Sequence, residues 1–302
     1  MRAKLERCLS VINEVVLGKE TQVRLAMACL LARGHLLIED LPGMGKTTLS
    51  QTLARVLGLG FQRIQFTADL LPGDILGTSV FDPRSGRFTF HPGPIFAELV
   101  LADEINRATA RSQSALLEAM EEGQVTHEGT THALPSPFFV IATQNPANQG
   151  GTFALPESQL DRFLMRLSLG YPALVAERDL LMGKARREVL ASLRPILEMG
   201  ELPMAQQAVS EVHASGAVVD YVLRLAVATR RAEQYGGGLS PRATLALMAA
   251  ARAWAWLAGR DYLIPEDVQA VLPAVAGHRL GGHDVATGNA QARRLLDEVP
   301  VP

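Results

Sequence analysis

Short apolar runs recur along the chain at HLLIED (35–40), FQRIQF (61–66), ELVLADE (98–104), FFVIAT (138–143) and FLMRLSL (163–169). Runs of this length without strict alternation predict strands covered on both faces, as in a parallel sheet. Helical spacing fills the intervals: Leu49, Leu53, Val56 and Leu57 repeat at i, i+4, i+7 and i+8, with Gly58 where a C-terminal cap belongs. Strand and helix in alternation predict an α/β fold, a three-layer α/β/α sandwich around a parallel sheet.

From about Tyr171 the strand signal stops and helical patterns take over. Val218, Val219, Val222, Leu225 and Ala226 mark one helix face opposite Asp220 and Arg224, and Gly236-Gly237-Gly238 ends it. Ser240-Pro241 has the cap and first-turn residues of a new helix, and Pro265-Glu266-Asp267 opens another. The expected division is an α/β core over residues 1–200, including a connecting helix from about 172, and a small all-helical domain over 201–302.

Composition narrows the function classes. A chain of 302 residues with 48% hydrophobic and 20% charged residues can bury a sizeable core. A net charge of −2 gives no general field for a phosphate backbone, so nucleic acid is not the expected partner. Cys8 and Cys29 have neither zinc-site spacing nor the number of a disulfide framework, which suits a reducing compartment. Lys4, Glu6, Arg7 and Glu14 interrupt the N-terminal segment where a signal peptide needs apolar residues. With no run near the roughly 20 apolar residues of a membrane span, a cytoplasmic location is expected.

The segment Asp40-Leu41-Pro42-Gly43-Met44-Gly45-Lys46-Thr47-Thr48 lies between the first strand and its helix, the context of a phosphate-binding loop. Gly43 and Gly45 let backbone N–H groups surround phosphate oxygens, the helix N-terminus adds its positive end, and Lys46 supplies a cation. Pro42 through Thr48 are thus the expected nucleotide-binding residues, with the Thr47 hydroxyl on Mg²⁺. Asp40 stands where the pattern has glycine, and Asp tolerates left-handed backbone better than most residues. Downstream, Leu99–Ala102 runs into Asp103-Glu104, a Walker B pattern: Asp103 would hold Mg²⁺ and Glu104 would act as general base on the attacking water. Asn145, after the strand 138–143, is the candidate polar sensor of the γ-phosphate.

These blocks, together with LADEINRA, SALLEAMEE, LPESQLDRF and LSPRA, resemble the signature blocks of the MoxR family of AAA+ ATPases across most of residues 36–260. The resemblance implies a P-loop NTPase core with a helical lid, ATP and Mg²⁺ as ligands, and a homo-oligomeric, hexameric ring. It also implies chaperone-like maturation of a client, with a partner protein carrying a von Willebrand factor A domain. Residue by residue, Lys46 and Thr47 match Walker A, Asp103 and Glu104 Walker B, and Asn145 sensor 1. Arg162 matches the arginine finger reaching a neighbour's nucleotide, and Arg242 the lid's sensor 2, expected beside ATP bound between core and lid. A cation in a first helical turn meets the unfavourable end of the dipole, so something should hold Arg242 there. Arg107 and Arg111 are weaker candidates for interface contacts.

Residues 76–95 and 123–135 read as inserts, the second a hairpin around Glu128-Gly129, expected to face a pore or partner. His91, His127 and His132 lie in them without metal-ligand spacing. A GTPase is disfavoured because none of the four lysines sits in a guanine-reading motif. A metal-chelatase motor subunit, a DNA-processing motor and a nucleotide switch with little turnover remain as alternatives.

Overall fold

The computed structural model describes residues 1–84, 86–145, 155–182, 186–281 and 284–301. The chain opens with helices α1 (Arg2–Val15) and α2 (Glu20–Leu31), then strand β1 (Leu36–Glu39), helix α3 (Lys46–Leu57) and strand β2 (Phe61–Gln65). A short helix α4 (Pro72–Leu76) leads into the hairpin β3 (Gly77–Asp82) and β4 (Arg87–Pro92). Strand β5 (Leu99–Asp103), helix α5 (Ala110–Glu122), the hairpin β6 (Gln124–His127) and β7 (Thr130–Ala133), and strand β8 (Phe139–Gln144) follow. After α6 (Glu157–Leu160) and β9 (Met165–Leu167) only helices remain: α7 (Leu174–Met182), α8 (Arg186–Ser192), α9 (Glu201–Ser210), α10 (Gly216–Arg231), α11 (Pro241–Leu257), α12 (Pro265–Ala276) and α13 (Val285–Glu298).

Five strands form one parallel sheet in the order β2-β5-β8-β1-β9. Its inner strands explain the unbroken apolar runs, because alternate residues enter different cores. Leu36, Ile38, Leu99, Leu101, Phe139 and Ile141 face one buried cluster, while Leu37, Val100, Ala102, Val140 and Ala142 face another. Edge strand β2 is different: Gln62, Arg63 and Gln65 are exposed and Ile64 is buried. That places Arg63 and Gln65 on one face two residues apart.

The first cluster also contains Tyr221, Leu225, Tyr235, Leu247, Val268 and Val271, so the late helices are packed on the sheet face through a shared core. Their starts follow the predicted chemistry. Ser240 Oγ accepts from Ala243 N at 3.1 Å, and Pro241 occupies the first turn of α11. Arg166 in β9 reinforces the junction: buried 3.5 Å from Glu39 in the sheet, it reaches out to donate to the Asp284 carbonyl before α13 at 2.8 Å.

Both inserts are two-stranded hairpins. Glu128 (φ 48°) and Gly129 (φ 79°) make the β6–β7 turn with both residues left-handed, the geometry that suits a two-residue hairpin loop. The hairpins lean on each other: Phe90 stacks on His132 with centroids 4.2 Å apart, and Ser79 Oγ donates to Glu128 at 2.8 Å. Cys8 and Cys29 are buried free thiols. Among the described residues, no helix is long and apolar enough to cross a membrane, and no His, Cys, Asp and Glu group could hold a metal ion unaided.

Candidate active site

The site grows out of the C-terminal ends of β1, β5 and β8, where open parallel sheets place their ligand crevices. Pro42, Gly43, Gly45, Lys46, Thr47 and Thr48 line a cleft of about 350 Å³ together with Arg63, Asp103, Glu104 and Asn145. Gly43 (φ 86°) and Gly45 (φ 92°) turn the loop. A Cβ at either would meet nothing within 4 Å, so glycine is needed there for conformation and not for space. Met44, expected among the nucleotide residues, packs its side chain against the first core cluster, which leaves its backbone N–H as the group it can offer to the loop.

Lys46 is 7% exposed, and its Nζ donates to the Asp40 carbonyl at 2.6 Å. Burial lowers its pKa, while Asp40, Asp103, Glu104 and Glu39 pull it back up. The ammonium is therefore held in a partly dry acidic setting on a neutral acceptor, which a triphosphate oxygen can replace with a full charge. Asp40 does not use left-handed backbone as the sequence suggested, since the positive-φ residues other than glycine are Arg33, Glu104 and Glu128. Its carboxylate instead accepts from Leu169 N, from Gly170 N at 3.2 Å and from Ser168 Oγ at 3.0 Å. An aspartate suits this position because both carboxylate oxygens accept, Oδ1 from Ser168 Oγ and Oδ2 from Leu169 N, with Gly170 N between them.

The carboxylates occupy distinct roles. Asp103 Oδ1 accepts from Thr143 Oγ1 at 2.6 Å, and Oδ2 accepts from Arg63 Nη2 at 2.5 Å and Nε at 3.1 Å. Glu104 sits at φ 57°, an unusual backbone for a non-glycine residue that costs about 1–2 kcal/mol. The turn brings its carboxylate between Asn145 Nδ2 (3.1 Å), Gln65 Nε2 (3.2 Å) and Arg107 Nε (3.1 Å). Asn145 Oδ1 is buried with no partner among the described residues, a free acceptor beside the candidate base. Pro146, which follows it in the sequence, lies outside those residues.

Arg162 and Arg242 are not in this cleft. They line a second cavity of about 340 Å³ with Arg33, His35, Glu121, Asp161 and Arg279. His35 precedes β1 and the phosphate loop follows it, so the two sites lie at opposite edges of the sheet, roughly 16 Å of strand apart (five residues at about 3.3 Å). Arg242, expected beside ATP between core and lid, stands apart from this chain's phosphate loop, because the first turn of α11 lies beside the end of α5. Its anion is Glu121, whose Oε1 accepts from Arg242 Nη1 at 2.7 Å and whose Oε2 accepts from Arg162 Nε at 2.7 Å. These arginines, Arg162 first, hold the Glu121 carboxyl below its usual range. Asp161 pairs with Arg279 at 2.6 Å and not with Arg162, and Arg279 also donates to the Asp161 and Phe163 carbonyls, at 3.0 and 2.8 Å.

In the wall of this cavity, His35 Nδ1 accepts from Val140 N at 3.0 Å and Nε2 donates to the Met120 carbonyl at 3.2 Å. Burial pushes its pKa down to about 4, partly offset by the Met120 bond. The neutral ring thus pins the last turn of α5, one residue before Glu121.

Sequence reasoning missed Arg63, Gln65, Thr143, Glu121 and Arg279. A period-2 reading of FQRIQF would have aligned Arg63 with Gln65 on one strand face; no local signal marks Glu121 or Arg279.

Comparison with known proteins agrees with this geometry. Residues 35–165 match the ATPase family associated with various cellular activities (AAA), and residues 227–299 match the AAA lid domain. The chain is 42% identical to Chaperone MoxR1 of Mycobacterium tuberculosis, over 98% of this chain and 80% of that one. It is 34% identical to Protein MoxR of Paracoccus denitrificans over 92% of this chain and 88% of the relative. A crystal structure of a presumptive ATPase from Cytophaga hutchinsonii superposes with a TM-score of 0.86 at 35% identity, covering 100% of this chain and 96% of the other. Full-length similarity, a phosphate loop backed by paired carboxylates, and a helical lid fused to the sheet converge on one assignment: the chain belongs to the MoxR family of AAA+ ATPases.

Proposed function

We propose that the protein hydrolyses ATP in the cleft between β1, β5 and β8, and that hydrolysis is completed across a subunit interface of a homo-oligomeric ring. The observation that carries the reading is Glu104: a carboxylate turned into the cleft by left-handed backbone, beside an Asn145 Oδ1 that has no partner among the described residues, and facing Lys46 across the phosphate loop. Glu104 takes the proton of the attacking water, Asn145 orients that water, and Lys46 with the loop N–H groups binds the phosphates.

The donor set fits Mg²⁺, which prefers hard oxygen ligands: the Thr47 hydroxyl and the Asp103 carboxylate both line the cleft. Asp103 would be shared with Arg63, whose guanidinium already balances its charge. When bound, Mg²⁺ offsets charge on the phosphate oxygens.

Arg162 and Arg242 face away from their own cleft, so they serve a neighbour's. This revises the sequence-based role of Arg242, which joins Arg162 as a residue acting in trans. The work done is chaperone-like remodelling of a client, through the inserts, where Phe81 and Phe88 are 50% and 68% exposed at the tip of the β3–β4 hairpin. A partner with a von Willebrand factor A domain remains part of this reading on family grounds.

Calorimetry and turnover assays on wild type and Glu104→Gln test it. The variant should bind Mg-ATP as tightly as wild type and lose at least about 100-fold in kcat. Equal turnover by the two proteins, or no uptake of adenine nucleotide by folded wild type, overturns the reading.

A further inference from the structure

We infer that Glu121 is a positioning residue that sets Arg162 and Arg242 as one two-armed clamp for the triphosphate bound by the adjacent subunit. The inference rests on the hydrolysis reading above and extends it to a residue with no contact to the nucleotide's own cleft.

The geometry divides the labour of the carboxylate. One oxygen takes Arg162 through Nε and the other takes Arg242 through Nη1, each at 2.7 Å. Binding through Nε leaves both terminal NH₂ groups of Arg162 for another acceptor, the fork that matches a phosphate. Arg242 likewise keeps Nε and Nη2. Glu121 therefore orients the arginines without occupying the donors that a phosphate needs.

Charge supports the same role. Two guanidinium groups from separate elements, one after α6 and one on α11, repel each other when brought together, and Arg33 lines the same cavity. The other carboxylate lining the cavity, Asp161, is engaged by Arg279. Glu121 is thus the anion that lets the two arginines stand together. Their side chains are 28% and 49% exposed, so the pair is open to an incoming group.

Its support is rigid. Gly123 closes α5 in the left-handed form, with its N–H on the Ala119 carbonyl, and His35 holds the Met120 carbonyl. Arg279 clamps the backbone on both sides of Arg162. The arginines meet a half-exposed carboxylate on a helix end that is itself tied down.

Removal of the charge should act on the chemical step in the neighbouring subunit. Glu121→Gln keeps the shape and one acceptor, so it should lower kcat at least ~10-fold with KM for ATP within about two-fold and an unchanged Tm. Glu121→Asp, which keeps the charge at a shorter reach, should recover part of the rate. The decisive arm is mixing. Glu104→Gln subunits have an inert cleft but an intact clamp, and Glu121→Gln subunits have the reverse. In randomly mixed closed rings about one interface in four joins a working cleft to a working clamp, so turnover should rise well above that of either variant alone.

Wild-type kcat in Glu121→Gln, a loss that falls on KM, or a mixture no faster than its components overturns the inference. Failure of the hydrolysis reading shows separately, as undiminished turnover in Glu104→Gln.

Discussion

The two edges of the sheet are built on different plans. At the C-terminal edge, Lys46, Asp103, Thr143 and Glu104 are placed by adjacent strands and one loop, and most of their hydrogen bonds join neighbours in the sheet. At the N-terminal edge, α5 delivers Glu121, the segment 161–164 Asp161 and Arg162, α11 Arg242, and the turn after α12 Arg279 to a shared cavity. One edge has a phosphate loop whose neighbouring arginine, Arg63, is engaged by Asp103 and Gln65; the other has arginines and no phosphate loop. The difference teaches that one chain holds the two sets of residues at opposite ends of its sheet, the arrangement that the proposed division of the catalyst between protomers requires.

The largest effect that can break this comparison is expected from Arg162→Ala. If its edge serves another subunit, kcat should fall by about 10³-fold or more while ATP affinity, measured by calorimetry, stays within about two-fold. Weaker ATP binding with unchanged kcat would put the arginine in its own chain's cleft after all.

A second test sharpens the difference through pH. His35 lies under the arginine edge with a pKa of about 4 against an ordinary 6.5, so the folded state resists its protonation. Its contribution is fully present above pH 6.5 and is lost as pH falls toward 4, up to about 3 kcal/mol. Thermal unfolding of wild type should weaken across that window more steeply than that of His35→Asn. His278, whose pKa burial also depresses, remains in both proteins, so the difference between the curves isolates His35. Parallel curves would remove His35 as the pin of α5.

The smallest effect concerns the cleft edge. Asp40→Asn puts an NH₂ group where Leu169 N, Gly170 N and Ser168 Oγ donate, which should cost about 1–2 kcal/mol in urea unfolding and weaken ATP binding several-fold. Unchanged stability would mean that the carboxylate is idle.

These tests also mark what was readable from residues alone. The five strands, the helix from Lys46 to Gly58 and the Ser240-Pro241 helix start follow from short-range patterns, because periodicity and caps are local. The cleft was legible for the same reason: its chemistry is written in contiguous blocks at strand ends. Asp40 was placed at the loop correctly, but its role depends on a turn after β9, far along the chain. The position of Arg242 and the function of Glu121 depend on which end of the sheet the lid covers. That is decided by packing of Tyr221, Leu247 and Val268 on the sheet face, and no motif encodes it.

The same packing limits how the machine can move. A lid that swung away from its sheet would open the apolar layer shared by Ile38, Ile141 and Leu247 and strip Arg166 from the Asp284 carbonyl. Each protomer therefore resembles a solid tooth more than a hinged jaw. In the proposed ring, play would collect at the seams, where an arginine-bearing flank of one tooth would meet the nucleotide slot of the next.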